Sequence, residues 1–114
     1  MKNILLFIKD FELGSKVSSA CVDAEMNVEF CDENTSPDDF VAESLLAIID
    51  LDQDVFFSVG LVSELKRHGL KIIGFMEELK ARDLKKIKAA GCDLVLPKLS
   101  LVKNLPKLIN ELTS

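Results

Sequence analysis

Leu45-Leu46-Ala47-Ile48-Ile49-Asp50-Leu51-Asp52-Gln53-Asp54 is the stretch on which the reading of the chain turns. Leu45 to Ile49 is an unbroken apolar run that stops in acid at Asp50, Asp52 and Asp54. With no polar alternation before it, the run suits a strand buried on both faces, as inside a parallel sheet. Open α/β sheets gather ligands and chemistry beyond the carboxyl ends of their central strands, so Asp50 stands where an active residue would stand.

Outward from this strand, the chain alternates strand and helix patterns five times. Asn3 to Ile8 is a short β-type run ending in Lys9 and Asp10, and Leu13, Val17, Ala20, Cys21 and Ala24 then recur at helical spacing. Asn27 to Cys31 alternates as a second strand, followed by a polar, turn-rich segment from Asp32 to Ser36. Ser36 and Pro37 read as an N-cap and first helical residue, opening a short helix to about Glu43.

Beyond the acidic-ended strand, Val55, Val59, Val62 and Leu65 share a helix face that His68-Gly69 closes, and Asp54 suits the N-cap of that helix. Gly60 weakens it somewhat. Lys71 to Phe75 is the fourth strand, where Gly74 leaves room for a close neighbour. A basic amphipathic helix carries Arg82, Lys85, Lys86 and Lys88 on its solvated face and stops at Gly91. Asp93 to Leu96 is the fifth strand, followed by Pro97-Lys98. Leu105, Leu108, Ile109 and Leu112 carry the last helix, whose start is expected near Asn104 so that Pro106 falls in its first turn.

Five βα units with right-handed crossovers imply an α/β fold: one doubly wound, five-stranded parallel sheet covered by helices on both faces, in the usual order 2-1-3-4-5. A chain of 114 residues suits one domain, 1–114. In that order the switch point lies between strands one and three, which brings Asp10 and Asp50 to one crevice. Carboxylates clustered there could coordinate a hard divalent cation such as Mg2+, which would let a phosphoryl donor approach them. Lys98, just past strand five, could add a counter-charge.

Composition narrows the partners. The net charge is -5 and Trp and Tyr are absent, which argues against a nucleic-acid surface. No apolar run approaches a membrane span and the amino terminus lacks a signal-peptide pattern, so a cytosolic protein is expected. Cys21, Cys31 and Cys92 are widely spaced among apolar neighbours, the pattern of reduced core thiols rather than of a disulfide or zinc site.

The chain resembles the receiver domains of two-component response regulators from Ile4 to Leu112. The resemblance is carried by Leu46-Ala47-Ile48-Ile49-Asp50, which looks like the strand ending in the phosphoacceptor aspartate. It is carried equally by Ala90-Gly91-Cys92-Asp93-Leu94-Val95-Leu96-Pro97-Lys98, which looks like the segment running into the active-site lysine. It implies the flavodoxin-like receiver architecture and a signal-transduction role in a phosphorelay. Asp50 would be the phosphoacceptor, Lys98 its active-site cation, and Asp10 with Asp50 the Mg2+ ligands.

The implied chemistry is at most Mg2+-dependent self-phosphorylation and autodephosphorylation at Asp50, so the chain is not expected to be an enzyme in the ordinary sense. Implied partners are a histidine kinase or phosphotransfer protein and a downstream effector protein. A homodimer through the basic helix, fifth strand and final helix is the further expectation.

Several positions depart from the family pattern. Where receivers carry two adjacent acids after strand one, this chain has Lys9-Asp10; Met76 replaces the Thr or Ser that ends strand four, and Leu99 replaces the proline after the lysine. The loop after Asp50 lacks the usual Met-Pro and Asp-Gly, and the span to strand four is a few residues short. A Lys9 ammonium, if it points into the crevice, which the sequence leaves open, would pair with Asp50 or Asp10 and compete with a metal. Methionine cannot hydrogen-bond a phosphoryl oxygen. The alternative is therefore a pseudo-receiver, a protein-interaction module that works without phosphate.

Each candidate also has a plain structural reading. Asp50 can simply end a strand and cap a turn, Asp10 can begin a helix, Lys98 can be a surface lysine, and His68 a helix C-terminal residue. A flavodoxin-like or cobalamin-binding relative ranks last, because there is neither a Gly-rich phosphate loop after strand one nor the expected His motif.

Overall fold

The structure is a computed structural model describing residues 3–35, 44–78 and 80–113. The expected short helix from Pro37 to Glu43, with its Ser36 cap, lies outside the described residues. Five parallel strands, β1 (Asn3–Phe7), β2 (Asn27–Phe30), β3 (Ser44–Asp50), β4 (Lys71–Met76) and β5 (Leu94–Pro97), form one sheet in the order β2-β1-β3-β4-β5. Four helices are described: α1 (Phe11–Asp23), α2 (Val59–Arg67), α3 (Ala81–Ala90) and α4 (Lys98–Thr113). This is the expected doubly wound sheet.

The apolar run of β3 is explained by the two cores it serves. Leu46 and Ile48 join Ile4, Leu6, Ile73 and Phe75 beneath α1 and α4, where Val17, Cys21, Leu101, Leu105 and Ile109 complete the cluster. Ala47 and Ile49 face the other way, with Leu5, Phe7 and Ile72, against Val62 and Leu65 of α2 and Ile87 of α3. Alternate residues of a strand point to opposite faces, so a strand covered on both sides has no polar position to spare. Burial at this density supplies most of the fold's stability.

Two glycines are required by position. A Cβ on Gly74 would stand 2.6 Å from Leu51 Cδ1, so Leu51 is the close neighbour for which Gly74 leaves room. Gly91 ends α3 at a φ of 119°, a left-handed conformation that side chains resist.

Three expectations are corrected. Val55 is not helical: residues 51–57 form a turn-rich loop, and α2 begins at Val59 with Ser58 as its N-cap. Phe56 is buried edge-to-face against Phe7, with ring centroids 5.6 Å apart, and this anchor draws the segment out of helical phase. Ser58 Oγ accepts from the Leu61 amide at 3.1 Å, so the cap assigned to Asp54 belongs to Ser58.

The last helix starts at Lys98, not near Asn104, and Pro106 lies inside it. Pro106 is exposed, whereas Leu101, Leu105 and Ile109 are buried. Packing of that apolar stripe outweighs the missing backbone hydrogen bond.

Candidate functional site

Asp50 ends β3 on the side of Leu46 and Ile48, which is the side covered by α1 and α4. Those two helices begin at the same edge of the sheet: Asp10 is the N-cap of α1, and Lys98 is the first residue of α4. The order of strands thus gathers Asp10 and Asp50 at the switch point between β1 and β3, while Lys98, at the end of the edge strand β5, comes to them by sharing a cleft with Asp10. The three candidates named from the sequence lie in one neighbourhood, and the charges of Asp10 and Lys98 both act on Asp50.

Asp50 is 3% exposed, one of two buried polar residues among those described. Its Oδ1 accepts from the Asp52 amide at 3.0 Å. Burial pushes its carboxyl above the ordinary aspartate value; the charges of Asp52 and Asp10 add to the rise, while the Asp52 amide and Lys98 oppose it.

Asp10 Oδ1 accepts from the amides of Glu12 at 3.0 Å and Leu13 at 3.2 Å. The helix-start reading of Asp10 therefore holds, and it leaves one carboxylate oxygen outside the cap. Lys98 lines a cleft of about 370 Å³ with Asp10, Glu12, Leu13, Lys16, Leu99 and Val102, in which Leu99 is 95% exposed.

Lys9 is corrected. Its ammonium donates to Glu33 Oε1 at 2.9 Å, beyond β2, instead of pairing with Asp50 or Asp10. The partner that the sequence did not disclose is Glu33, whose carboxyl the Lys9 hydrogen bond holds below its ordinary value. Only the turn after β2, which brings Glu33 beside the end of β1, reveals it.

Around the site, Asp52 Oδ2 accepts from the Glu77 amide at 2.8 Å, tying the loop after β3 to the end of β4. Met76 is buried, so β4 ends in a thioether where it approaches this loop. Asp52 and Asp54 line a separate cleft with Met76, Glu78, Lys80 and Asp83. His68 caps the end of α2, as read.

Asp93 is a structural clip: both its oxygens accept from Lys66 Nζ, at 2.9 and 2.8 Å, and Oδ2 also accepts from the Ile72 amide at 2.8 Å. The three cysteines are free and buried, and burial pushes the Cys21 and Cys31 thiols up to about 12.

Among the described residues no group of three or more His, Cys, Asp or Glu side chains is placed to hold a metal ion. Two carboxylates at one edge are what Asp10 and Asp50 provide. Mg2+ is commonly held by one or two carboxylates with water and substrate phosphate completing its shell, so the pair fits such an ion weakly held. No helix among the described residues is long and apolar enough to cross a membrane.

Comparison with solved structures places the fold. The chain is similar to the chemotaxis protein CheY4 of Vibrio cholerae, with a TM-score of 0.80 and 19% identity over 98% of each chain. It is similar to a response regulator from Thermotoga maritima, at a TM-score of 0.78 and 12% identity over 100% of this chain and 99% of that one. A pilus assembly-related protein from Burkholderia pseudomallei superposes at 0.76, with 18% identity over 97% of this chain and 88% of the other. A scan of protein-family models and a search of curated proteins each give no match. The fold is the CheY-like, flavodoxin-type fold of response-regulator receiver domains.

Proposed function

We propose that this chain is a signal-transduction receiver in which Asp50 accepts a phosphoryl group. The observation that carries the reading is the meeting of Asp10 and Asp50 at the switch point, with the charge of Lys98 acting on Asp50. A nucleophilic carboxylate, a cation for phosphoryl oxygens and a second acid are the parts that the chemistry needs.

With Oδ1 held by the Asp52 amide, Oδ2 is the attacking oxygen. It bonds to the phosphorus of a phosphohistidine on a histidine kinase or phosphotransfer protein; the P–N bond breaks, its electron pair stays on the imidazole, and solvent supplies the proton. Lys98 offsets charge on the phosphoryl oxygens. Later hydrolysis breaks the P–O bond to Asp50 and restores the carboxylate. A Mg2+ ion on Asp10 and Asp50 would, when bound, supply further charge neutralisation. The output is docking of an effector protein, or of a second copy, on the face made by α3, β5 and α4.

A pseudo-receiver is the second reading, and Met76 favours it. A buried thioether gives no hydroxyl to contact a phosphoryl group, so movement of the α3 face would not follow phosphorylation by the usual contact. Incubation with acetyl phosphate, or with beryllofluoride, in millimolar Mg2+ separates the two. A Mg2+-dependent adduct by intact mass, with amide shifts that vanish in Asp50→Asn, supports phosphoacceptance. Absence of both adduct and shifts leaves the interaction module.

A further inference from the structure

We propose that Glu33 is a positioning residue: it holds the Lys9 ammonium away from Asp10 and Asp50 and so keeps that carboxylate pair open to a divalent cation. The inference rests on the carboxylate pair of the proposed site and not on phosphoryl transfer itself.

Lys9 directly precedes Asp10 at the end of β1, and its ammonium rides on a flexible four-carbon stem. Such a cation settles on the nearest carboxylate with suitable geometry, and at this end of the sheet Asp10, the next residue along the chain, is a candidate. In the structure it goes to Glu33 Oε1 at 2.9 Å instead. The Lys9 and Glu33 side chains are 41% and 39% exposed, so the pair is solvated and a lysine released from it meets no packed wall.

The placement of Glu33 is built rather than incidental. The Cys31 amide donates to Leu6 O at 2.8 Å, which continues the β1–β2 ladder past Phe30 and brings the following turn to the end of β1. The turn is tied on both sides of Glu33: the Asp32 amide donates to Thr35 Oγ1 at 3.0 Å, and Asp32 Oδ1 accepts from the Asn34 amide at 2.8 Å. Glu33 is thereby presented to Lys9 by backbone geometry.

A receiver fold with a lysine beside Asp10 therefore need not have lost its cation site. The lysine is neutralised from the far side by an acid on the edge strand's turn. Without Glu33, the ammonium and a divalent cation compete for the same oxygens. Because exposed pairs are individually weak, the competition shifts affinity by about two- to fivefold and does not abolish it.

The test uses the full chain and Mn2+ alone as probe, read by paramagnetic broadening of backbone amides in 15N NMR, with Mg2+ shifts as the diamagnetic counterpart. The parent protein should broaden at Asp10 and Asp50 at millimolar Mn2+. Glu33→Gln should need about two- to fivefold more ion. Lys9→Met combined with Glu33→Gln should regain parental binding or better.

Asp54→Asn, in the cleft with Asp52 and Met76, makes the same change in net charge without releasing a lysine and should weaken binding less than Glu33→Gln. The proposal is overturned by unchanged binding in Glu33→Gln, by equal weakening in Asp54→Asn, by no recovery in the double variant, or by no broadening of the parent. Broadening at Asp10 and Asp50 without a phosphodonor adduct would instead sink phosphoacceptance while leaving the role of Glu33 intact.

Discussion

The Asp52 amide donates to Asp50 Oδ1 at 3.0 Å, so the buried carboxylate is held by the residue two places further along its own chain. The same Asp52 reaches across to the Glu77 amide with its side chain. Asp50 is thus oriented by a loop that is itself pinned to β4.

Neutralising Asp50 should stabilise the fold. Burial raises its carboxyl above the ordinary aspartate value, so the native state holds the proton more tightly than the unfolded chain does. Stability is then greatest below the unfolded value and falls as pH rises through the interval up to the folded one. Asp50→Asn keeps an oxygen for the Asp52 amide and removes the charge. Urea unfolding should show the variant more stable at pH 7, with the gap closing as pH falls to the acid side of that interval. A variant less stable than the parent at pH 7 would contradict this account of the site.

Asp93 should behave in the opposite sense. Partial burial pushes its carboxyl up, but the Lys66 hydrogen bond, the Ile72 amide and the charges of Lys66 and Lys71 outweigh that and hold it below the ordinary value. Its contribution is present above the unfolded aspartate value and is lost as pH falls through the folded one. Asp93→Ala leaves the Ile72 amide without its side-chain partner and should cost about 1–2 kcal/mol near neutral pH, less in strong acid. A pH-independent cost, measured by the same unfolding series, would show that charge plays no part.

Gly74 and Leu51 should be energetically coupled. A methyl on Gly74 meets Leu51 Cδ1 at 2.6 Å, and Leu51 is buried, so Gly74→Ala should destabilise by about 1–3 kcal/mol. In a Leu51→Ala background the added methyl fills vacated space, and the same substitution should be close to neutral. Strict additivity in a double-mutant cycle would refute the contact.

Pro106 offers a simple gain. It sits exposed within α4, where it withholds one backbone hydrogen bond from an otherwise continuous helix. Pro106→Ala should raise stability by about 1–3 kcal/mol in urea unfolding and leave Mn2+ binding at Asp10 and Asp50 unchanged. A loss of stability would mean that the helix geometry is adapted to the proline.

The parts of the fold that were legible in the sequence are those set by local pattern. The run Leu46 to Ile49 announces a doubly covered strand because both faces of β3 are buried, and the meeting of Asp10 with Asp50 follows from strand order. What was not legible depends on distant partners. Val55 looks helical until Phe56 finds Phe7, and Pro106 looks like an early helix residue until Leu101, Leu105 and Ile109 are seen to hold α4 from Lys98. Lys9 reads as an intruder in the site because its partner, Glu33, lies across the edge of the sheet.

The sheet also acts as a partition. Asp10 and Lys98 open the helices of one layer, while the basic residues of α3 belong to the other, and the two layers pack into separate apolar clusters. Substitutions that re-tailor the charge of α3 need not disturb the helices that carry Asp10 and Lys98.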